Sequence, residues 1–540
     1  MATRTMTANP KPLLGAPPLL RIGAALGVAA SGYLHAELYI HGYRAIPGIG
    51  PAFLLQASAS FAVALLLLAS GALILRLGAL AVTLGALGGF VLSRTVGVLG
   101  FIEHGLEPAP QALLSIGVEV VTVALLAIGL RHRTPGPRPA QTAASSDTAG
   151  AVHPLHRIGL LRDLEHPGQM LTALGPNWYA TVMGTGIVAV AAATMPRQIP
   201  GLHTAALVVW LLASTLLIAV SAAWAGQWLR YRRAARDVAR NPVMAQFYGV
   251  PPIALLVAGA GTLLLGKDIL GQSLALHIDA VLWTLGTLGG LAAAVSIPYL
   301  MFTRLELDTD STFGGWLLPV VPPMVSAGTG ALLIPHLHGQ AQLTMLLGCY
   351  AMFGLSLLAS VIITTLIWNR LAMHNLGPAA MEPTMWIVLG WVGQSITAVN
   401  LLGGVAHLSL PPLYSDAFEA LGLVYGVPAL GFALLWIALA TAATIRTARQ
   451  RLPFTMSWWA FTFPLGTVVT GTSALAAHTG STVLAWLAVA LYLALITAWA
   501  VVAARTAHGS ARGQLFQPPT PTPSPAPTPS PTSDPVPVPA

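Results

Sequence analysis

Charge is what this chain lacks most. Only 8% of its 540 residues are Asp, Glu, Lys or Arg, while 55% are hydrophobic. A soluble domain carries about 25% charged residues. So little charge does not cover the surface of a globule this size, and the composition indicates a chain that crosses a membrane many times. Cysteine is nearly absent too. The single Cys349 lies in an apolar run, which excludes a disulfide framework within one chain and a Cys-based metal site. Acidic residues are scarcer than basic ones, 17 against 25, for a formal net charge of +8. That excess suggests nucleic acid until its placement is considered. Pro10, Pro12, Pro17 and Pro18 precede the first apolar run, and no small-residue cleavage site follows, so the N terminus does not read as a cleavable signal.

What is present is apolar length. A span needs roughly 20 mainly apolar residues. Four runs come early, at 19–40, 51–75, 77–100 and 110–130, and a Pro-, Gly- and Ser-rich stretch follows at 131–150. Ten more runs lie at 176–195, 203–228, 243–265, 274–302, 314–335, 342–368, 382–404, 417–445, 456–477 and 481–504. The tail at 517–540 has proline at nearly every second position, which excludes a helix and predicts an extended, disordered segment. The expected organisation is a four-span domain at 1–133, a cytoplasmic linker at 134–169, a ten-span domain at 170–506 and a disordered tail at 507–540.

Basic residues test this map. With the N terminus in the cytoplasm and sides alternating, twenty-one of the 25 Lys and Arg residues fall inside, from Arg4 and Lys11 through the cluster Arg230–Arg240 to Arg505 and Arg512. Arg44, Arg197 and Lys267 fall outside, and Arg94 lies within a span. This asymmetry follows the positive-inside rule. It predicts an even span number, both termini cytoplasmic in a plasma membrane, and a basic excess that orients the chain and binds no nucleic acid.

The ten later runs alternate in character. The odd ones are interrupted: Gly184 and Gly186 in the first, Pro251 and Pro252 in the third, Pro319, Pro322 and Pro323 in the fifth, Gln394, Ser395, Thr397 and Asn400 in the seventh, and Pro464 in the ninth. The even ones are plainer Leu, Val and Ala runs. A proline inside a helix removes a hydrogen bond and costs about 3 kcal/mol. In hydrocarbon, such a break survives only when buried in protein or lining a water-filled cavity. Five broken spans paired with five plain ones therefore predict five helical hairpins, with the broken helices as an inner ring around a pore. The plainer reading is close helix packing through small residues. The candidate wall is Thr181, Thr185, Gly186, Pro252, Pro322, Ser326, Gln394, Thr397, Thr467 and Thr470. Phe463, Thr467 and Thr470 stand at i, i+4 and i+7 and share a helical face, an aromatic ring followed by two hydroxyls.

NWYATVMGTGIVA, PVVPPMVSAGTGALL, EPTMWIVLGWVGQSITAVNLLG and SWWAFTFPLGTVVTGTSALA resemble, in order, the tellurite-resistance/dicarboxylate transporter family. That family includes tellurite-resistance channels, slow anion channels of plant guard cells, and fungal malate and sulfite transporters. The resemblance covers about residues 170–506 and implies an all-α polytopic membrane protein, with ten helices in five hairpins around a central pore, assembled as a homotrimer. By motif, the family's gating phenylalanine falls on Phe463, with Phe461 as the alternative two residues earlier. The resemblance leaves the anion open among malate, sulfite, tellurite, nitrate and chloride.

The inner runs hold no Lys or Arg at mid-depth, and their only mid-chain acid is Glu382. A carrier gripping a dicarboxylate tightly is expected to use a cation. Selectivity here falls to hydroxyls, amides and helix ends, which favours passive flow of small anions over proton-coupled carriage. Neither an enzyme activity nor a cofactor or metal is expected. Gly184-Thr185-Gly186 follows no strand and has no acid about twenty residues on, so it is not a dinucleotide loop. A redox or haem module is the reading from a different class. Its material is in the first four runs, where Tyr33, Glu37 and His41 share a face near His35, in a spacing that matches no ligand pattern. Arg94 and Glu119 fall in the third and fourth runs, where buried charges usually pair. His336, His338, His407 and His478 lie at span ends, where solvated histidines are the plain reading.

Overall fold

In the computed structural model, residues 16–46, 48–69, 73–98, 101–103, 111–131, 169–304, 310–374, 376–450 and 452–516 are described. The expected linker, apart from its last residue, and the expected tail from 517 onward lie outside them, whereas residues 507–512 of that tail are not disordered but continue the last long helix to Arg512, and 514–516 form a 3₁₀ turn. Among the described residues the chain is helical and forms no sheet. Eleven helices are long and apolar enough to cross a membrane by length and composition, so this is an all-α, multi-pass membrane protein.

The first four helices are α1 (Ala16–His41), α2 (Ile49–Ala69), α3 (Leu73–Thr95) and α4 (Gln111–Arg131). α1 packs on α2 and α4, and α3 joins α2 to α4, closing a bundle whose α2 rests against the helix Leu202–Arg230. The remaining long elements are α5 (Tyr179–Thr194), α6 (Leu202–Arg230), α7 (Val250–Gly261), α8 (Gln272–Thr303), α9 (Pro322–Gly330), α10 (Gly339–His374), α11 (Val388–Ala406), α12 (Pro412–Arg449), α13 (Phe463–Thr479) and α14 (Thr482–Arg512).

The odd helices form a closed ring, α5 on α7, α7 on α9, α9 on α11, α11 on α13 and α13 back on α5. Each is backed by the even helix that follows it. Burial divides the two sets. In the apolar stretches of Pro242–Leu270, Ala379–Ala406 and Met456–Thr479, 67%, 89% and 83% of residues are buried, against 22% to 33% in the five even helices. A helix enclosed on every side carries small and hydroxyl residues that let backbones approach, while a helix facing lipid carries Leu and Val. This is the physical content of the alternation in the sequence.

The prolines do not break these helices in their middles. Each odd helix is approached through a 3₁₀ segment: Pro176–Trp178, Phe247–Gly249, Gly314–Leu317, Ala379–Ile387 and Met456–Phe461. Pro251 and Pro252, Pro322 and Pro323, and Pro464 then stand in the first turn of α7, α9 and α13. There the missing N–H is one that has no intrahelical partner, and the fixed φ suits the helix. Gly184 and Gly186 are not breaks either, since both lie inside α5. A Cβ on Gly184 would come within 2.3 Å of the Thr462 hydroxyl, and one on Gly186 within 2.7 Å of Val257, so these glycines seat α5 against the segment leading into α13 and against α7. Among the described α-helices, interior prolines are instead found in the even set, at Pro298 and Pro428, while Pro383 stands inside the 3₁₀ segment before α11.

Candidate functional site

Because the odd helices are joined through even helices of opposite direction, all five start at the same end of the ring. Two cavities lie along the axis, and every member of the ring, counting the 3₁₀ segment or turn adjoining each helix, contributes to both. The first, about 30 Å³, lies at the start of the helices and is lined by Met183, Val250, Ile253, Val321, Ile387 and Phe463 among others. The second, about 70 Å³, lies further along and is lined by Ile187, Val257, Val325, Gln394, Thr397 and Thr470 among others. Phe463 and Thr470 are seven residues apart on one helix, so the levels are separated by roughly 10 Å.

No Asp, Glu, Lys or Arg occurs in α5, α7, α9, α11 or α13. The axial electrostatics therefore come from dipoles. The five helix starts carry partial positive charge and converge on the cavity that holds Phe463. Phe463 is 3% exposed, the first residue of α13.

In the second cavity the hydroxyls are engaged with the protein. Thr397 Oγ1 donates to Gly393 O at 3.1 Å or shares a hydrogen bond with Thr470 Oγ1 at 2.8 Å, and Thr470 also reaches Thr467 O at 3.0 Å. Thr194 and Thr329 bond the carbonyls of Val190 and Val325. Gln394 differs. Its amide makes no hydrogen bond among the described residues, and its Nε2 lies over Gly328 of α9, where a Cβ would come within 2.4 Å. It is the side-chain donor in this cavity that has no partner among the described residues.

The other candidate wall residues line neither cavity. Thr467 is fully buried, and its hydroxyl contacts Pro464 O at 2.7 Å and Leu389 O at 3.1 Å. On a helix it lies about 40° to one side of Phe463 and Thr470 about 20° to the other, and that difference turns Thr467 toward α11. Thr181 donates to Trp178 O at 2.8 Å, and Thr185 accepts from Trp499 of α14 at 3.2 Å. Gly186 packs on Val257, and Pro252 and Pro322 face glycines of α8, Gly289 and Gly290. Ser326 accepts from Thr287 of α8 at 2.9 Å. Phe461 stands in the 3₁₀ segment, edge-on to Trp386 at 5.6 Å and to Trp458 at 5.7 Å. The apolar lining, such as Met183, Ile253 and Val325, carried no signal in the sequence, because an apolar side chain facing a pore resembles one facing lipid.

Two acids stand near the ring. Glu382 accepts from Thr444 at 2.8 Å through Oε1, and its Oε2 is buried without a partner among the described residues. Asp279 of α8, which the sequence did not single out, is fully buried against Gly259 of α7, with neither oxygen partnered among the described residues. At the far end, His478 Nδ1 lies 2.8 Å from Asn400 Oδ1, whereas His336, His338 and His407 are exposed. Arg94 does not reach Glu119. It pairs at 3.1 Å with Glu103, just beyond the end of α3.

The profile of the SLAC1 voltage-dependent anion channel family matches residues 173–507, which is the whole ring and its backing helices. The chain belongs to this family. An uncharacterised transporter of Methanocaldococcus jannaschii is 28% identical over 345 residues, covering 63% of this chain and 95% of its own. Sulfite efflux pumps of Arthroderma otae and Trichophyton rubrum are each 26% identical over 349 residues, covering 63% of this chain and 92% of theirs. The voltage-dependent anion channel family and these relatives are transporters or channels, and the protein is an anion transporter or channel of that family. α1–α4 lie outside the match.

Proposed function

We propose that the chain passes small oxyanions of the sulfite class down their electrochemical gradient along the axis of the ring, with Phe463 as the gate. The carrying observation is an axis without a fixed charge, served by five converging helix starts and one unpartnered amide, Gln394. Such a wall attracts an anion and binds it weakly enough to release it. The cavities hold only a handful of water-sized atoms, which favours a compact oxyanion over a four-carbon dicarboxylate such as malate. The names of the fungal relatives point the same way. The placement of basic residues supports a plasma-membrane protein with both termini cytoplasmic, and resemblance to the family supports a homotrimer.

Flux into liposomes, with sulfite, nitrate, chloride and malate offered in turn, tests the reading. Sulfite is expected to move fastest, malate slowest, and neither to require a pH gradient. Gln394→Leu is expected to raise the half-saturating sulfite concentration about tenfold, the worth of one hydrogen bond to a charged group. An unchanged value would remove Gln394 from the pathway.

Proton-coupled carriage is the second reading, and Asp279 favours it, since a buried carboxylate with two unpartnered oxygens is a ready proton site. Flux that stops when the pH gradient is abolished at zero membrane potential would establish this reading and exclude the passive one.

A further inference from the structure

An unexplained feature lies outside the ring. A cavity of about 210 Å³ sits within the α1–α4 bundle, toward the end bearing Tyr43, Arg94 and Glu103. Its body is apolar and aromatic, with Phe53, Phe90 and Phe101 in the wall. Gly85 and Gly89 of α3 also line it, and a Cβ on either would meet nothing within 4 Å. Glycine there leaves open space that an ordinary side chain would fill.

The rim is internally neutralised. Arg94 pairs with Glu103 and lies over the Phe90 ring at 3.8 Å, and Tyr43 donates to the same Glu103. Burial, and then the hydrogen bond to Glu103, push the Tyr43 phenol above its usual range, so it stays a neutral donor.

The floor holds an acid whose nearby basic group is a histidine. Glu119 of α4 is 1% exposed, and Ser31 and Ser115 both donate to its Oε1 at 2.9 Å. Its Oε2 accepts from no group among the described residues. His35 Nδ1 stands 3.9 Å from Oε1, an ion pair only when the ring is protonated, and 2.8 Å from Ser31 O, with the ring against Phe53. A carboxylate held in place by two hydroxyls at the bottom of an aromatic cavity, with one oxygen unpartnered among the described residues, can take a cation there. Aromatic faces attract the same charge.

We propose that α1–α4 form a binding site for a small organic cation, a protonated amine on an apolar body, with Glu119 as its counter-charge. The amine reaches Oε2, and the apolar body occupies the space in front of Gly85 and Gly89 between the phenylalanine rings.

Equilibrium dialysis on the full-length chain in nanodiscs at neutral pH tests this with three probes of one shape: phenethylamine, 2-phenylethanol and phenylacetate. Saturable binding of the amine alone is expected. Glu119→Gln keeps the shape and removes the charge, and is expected to weaken amine binding about tenfold or more. Gly89→Leu fills the space without removing a charged group, and is expected to abolish binding while the unfolding midpoint stays near wild type. The proposal fails if wild type binds no amine saturably, if the alcohol binds as well as the amine, or if both variants bind like wild type. Should Glu119→Gln not fold, the wild-type comparison of amine with alcohol and the Gly89→Leu result decide it.

Discussion

Phe463→Ala is expected to raise anion flux through the reconstituted protein by about tenfold or more, the effect of lowering a barrier by about 1.4 kcal/mol. The ring opens on the cavity at the start of the inner helices, where the walls are mostly apolar and the space is about 30 Å³. A narrow apolar constriction holds back an anion because the ion must shed water and find nothing in its place. Removing the ring admits water at the level where the five helix starts point. Gln394, Thr397 and Thr470 lie roughly 10 Å away and are untouched, so the order in which anions are preferred is expected to hold. Liposome flux or planar-bilayer current measures both. A mutant with wild-type flux would show that Phe463 merely packs. Phe461→Ala is the paired control: its ring rests on Trp386 and Trp458 away from the axis, and little change in flux is expected.

Gly393→Ala is expected to destabilise the protein by about 3 kcal/mol. A Cβ at Gly393 would lie 2.3 Å from Val468 N and 2.4 Å from Thr467 C. These are backbone atoms of α13, so no side chain can swing aside, and α11 and α13 must separate. Their separation also breaks the contact of Thr467 with Leu389 O and the Thr397–Thr470 pair. The thermal unfolding midpoint in nanodiscs measures the loss. Gly390→Ala, one turn earlier on the same helix, is the comparison. Its Cβ would sit 3.8 Å from the Pro464 ring, an ordinary contact, and a change within about 0.5 kcal/mol is expected. Equal effects at the two positions would mean that glycine's backbone freedom, and not the close approach, sets the requirement.

Much of the architecture was legible before any coordinates. Scarce charge and repeated apolar runs imply a membrane protein, because hydrocarbon tolerates little else. The contrast between hydroxyl- and glycine-bearing runs and Leu-rich ones separates buried helices from lipid-facing ones, and the burial of α11 and α13 against that of α12 and α14 follows it. The site was less legible. Of the candidate wall and gate residues, Phe463, Gln394, Thr397 and Thr470 line the axial cavities. The others are polar or small for reasons of packing. Thr185 receives the Trp499 indole, Ser326 receives Thr287, and Pro252 and Pro322 meet glycines of α8.

Sequence by itself determined the solvent this chain lives in, the helices it forms and which of them are enclosed, since these follow from composition and periodicity summed over whole segments. Tertiary structure alone decided where each side chain points. A hydroxyl in hydrocarbon must bond to something, and whether it meets a carbonyl, an indole or a cavity depends on rotations of about 20° to 40° around a helix, which only the neighbouring backbone sets. The same holds in the bundle at the start of the chain. Glu119 and Arg94 read as partners, but the fold gives Arg94 to Glu103 and leaves Glu119 facing an open cavity.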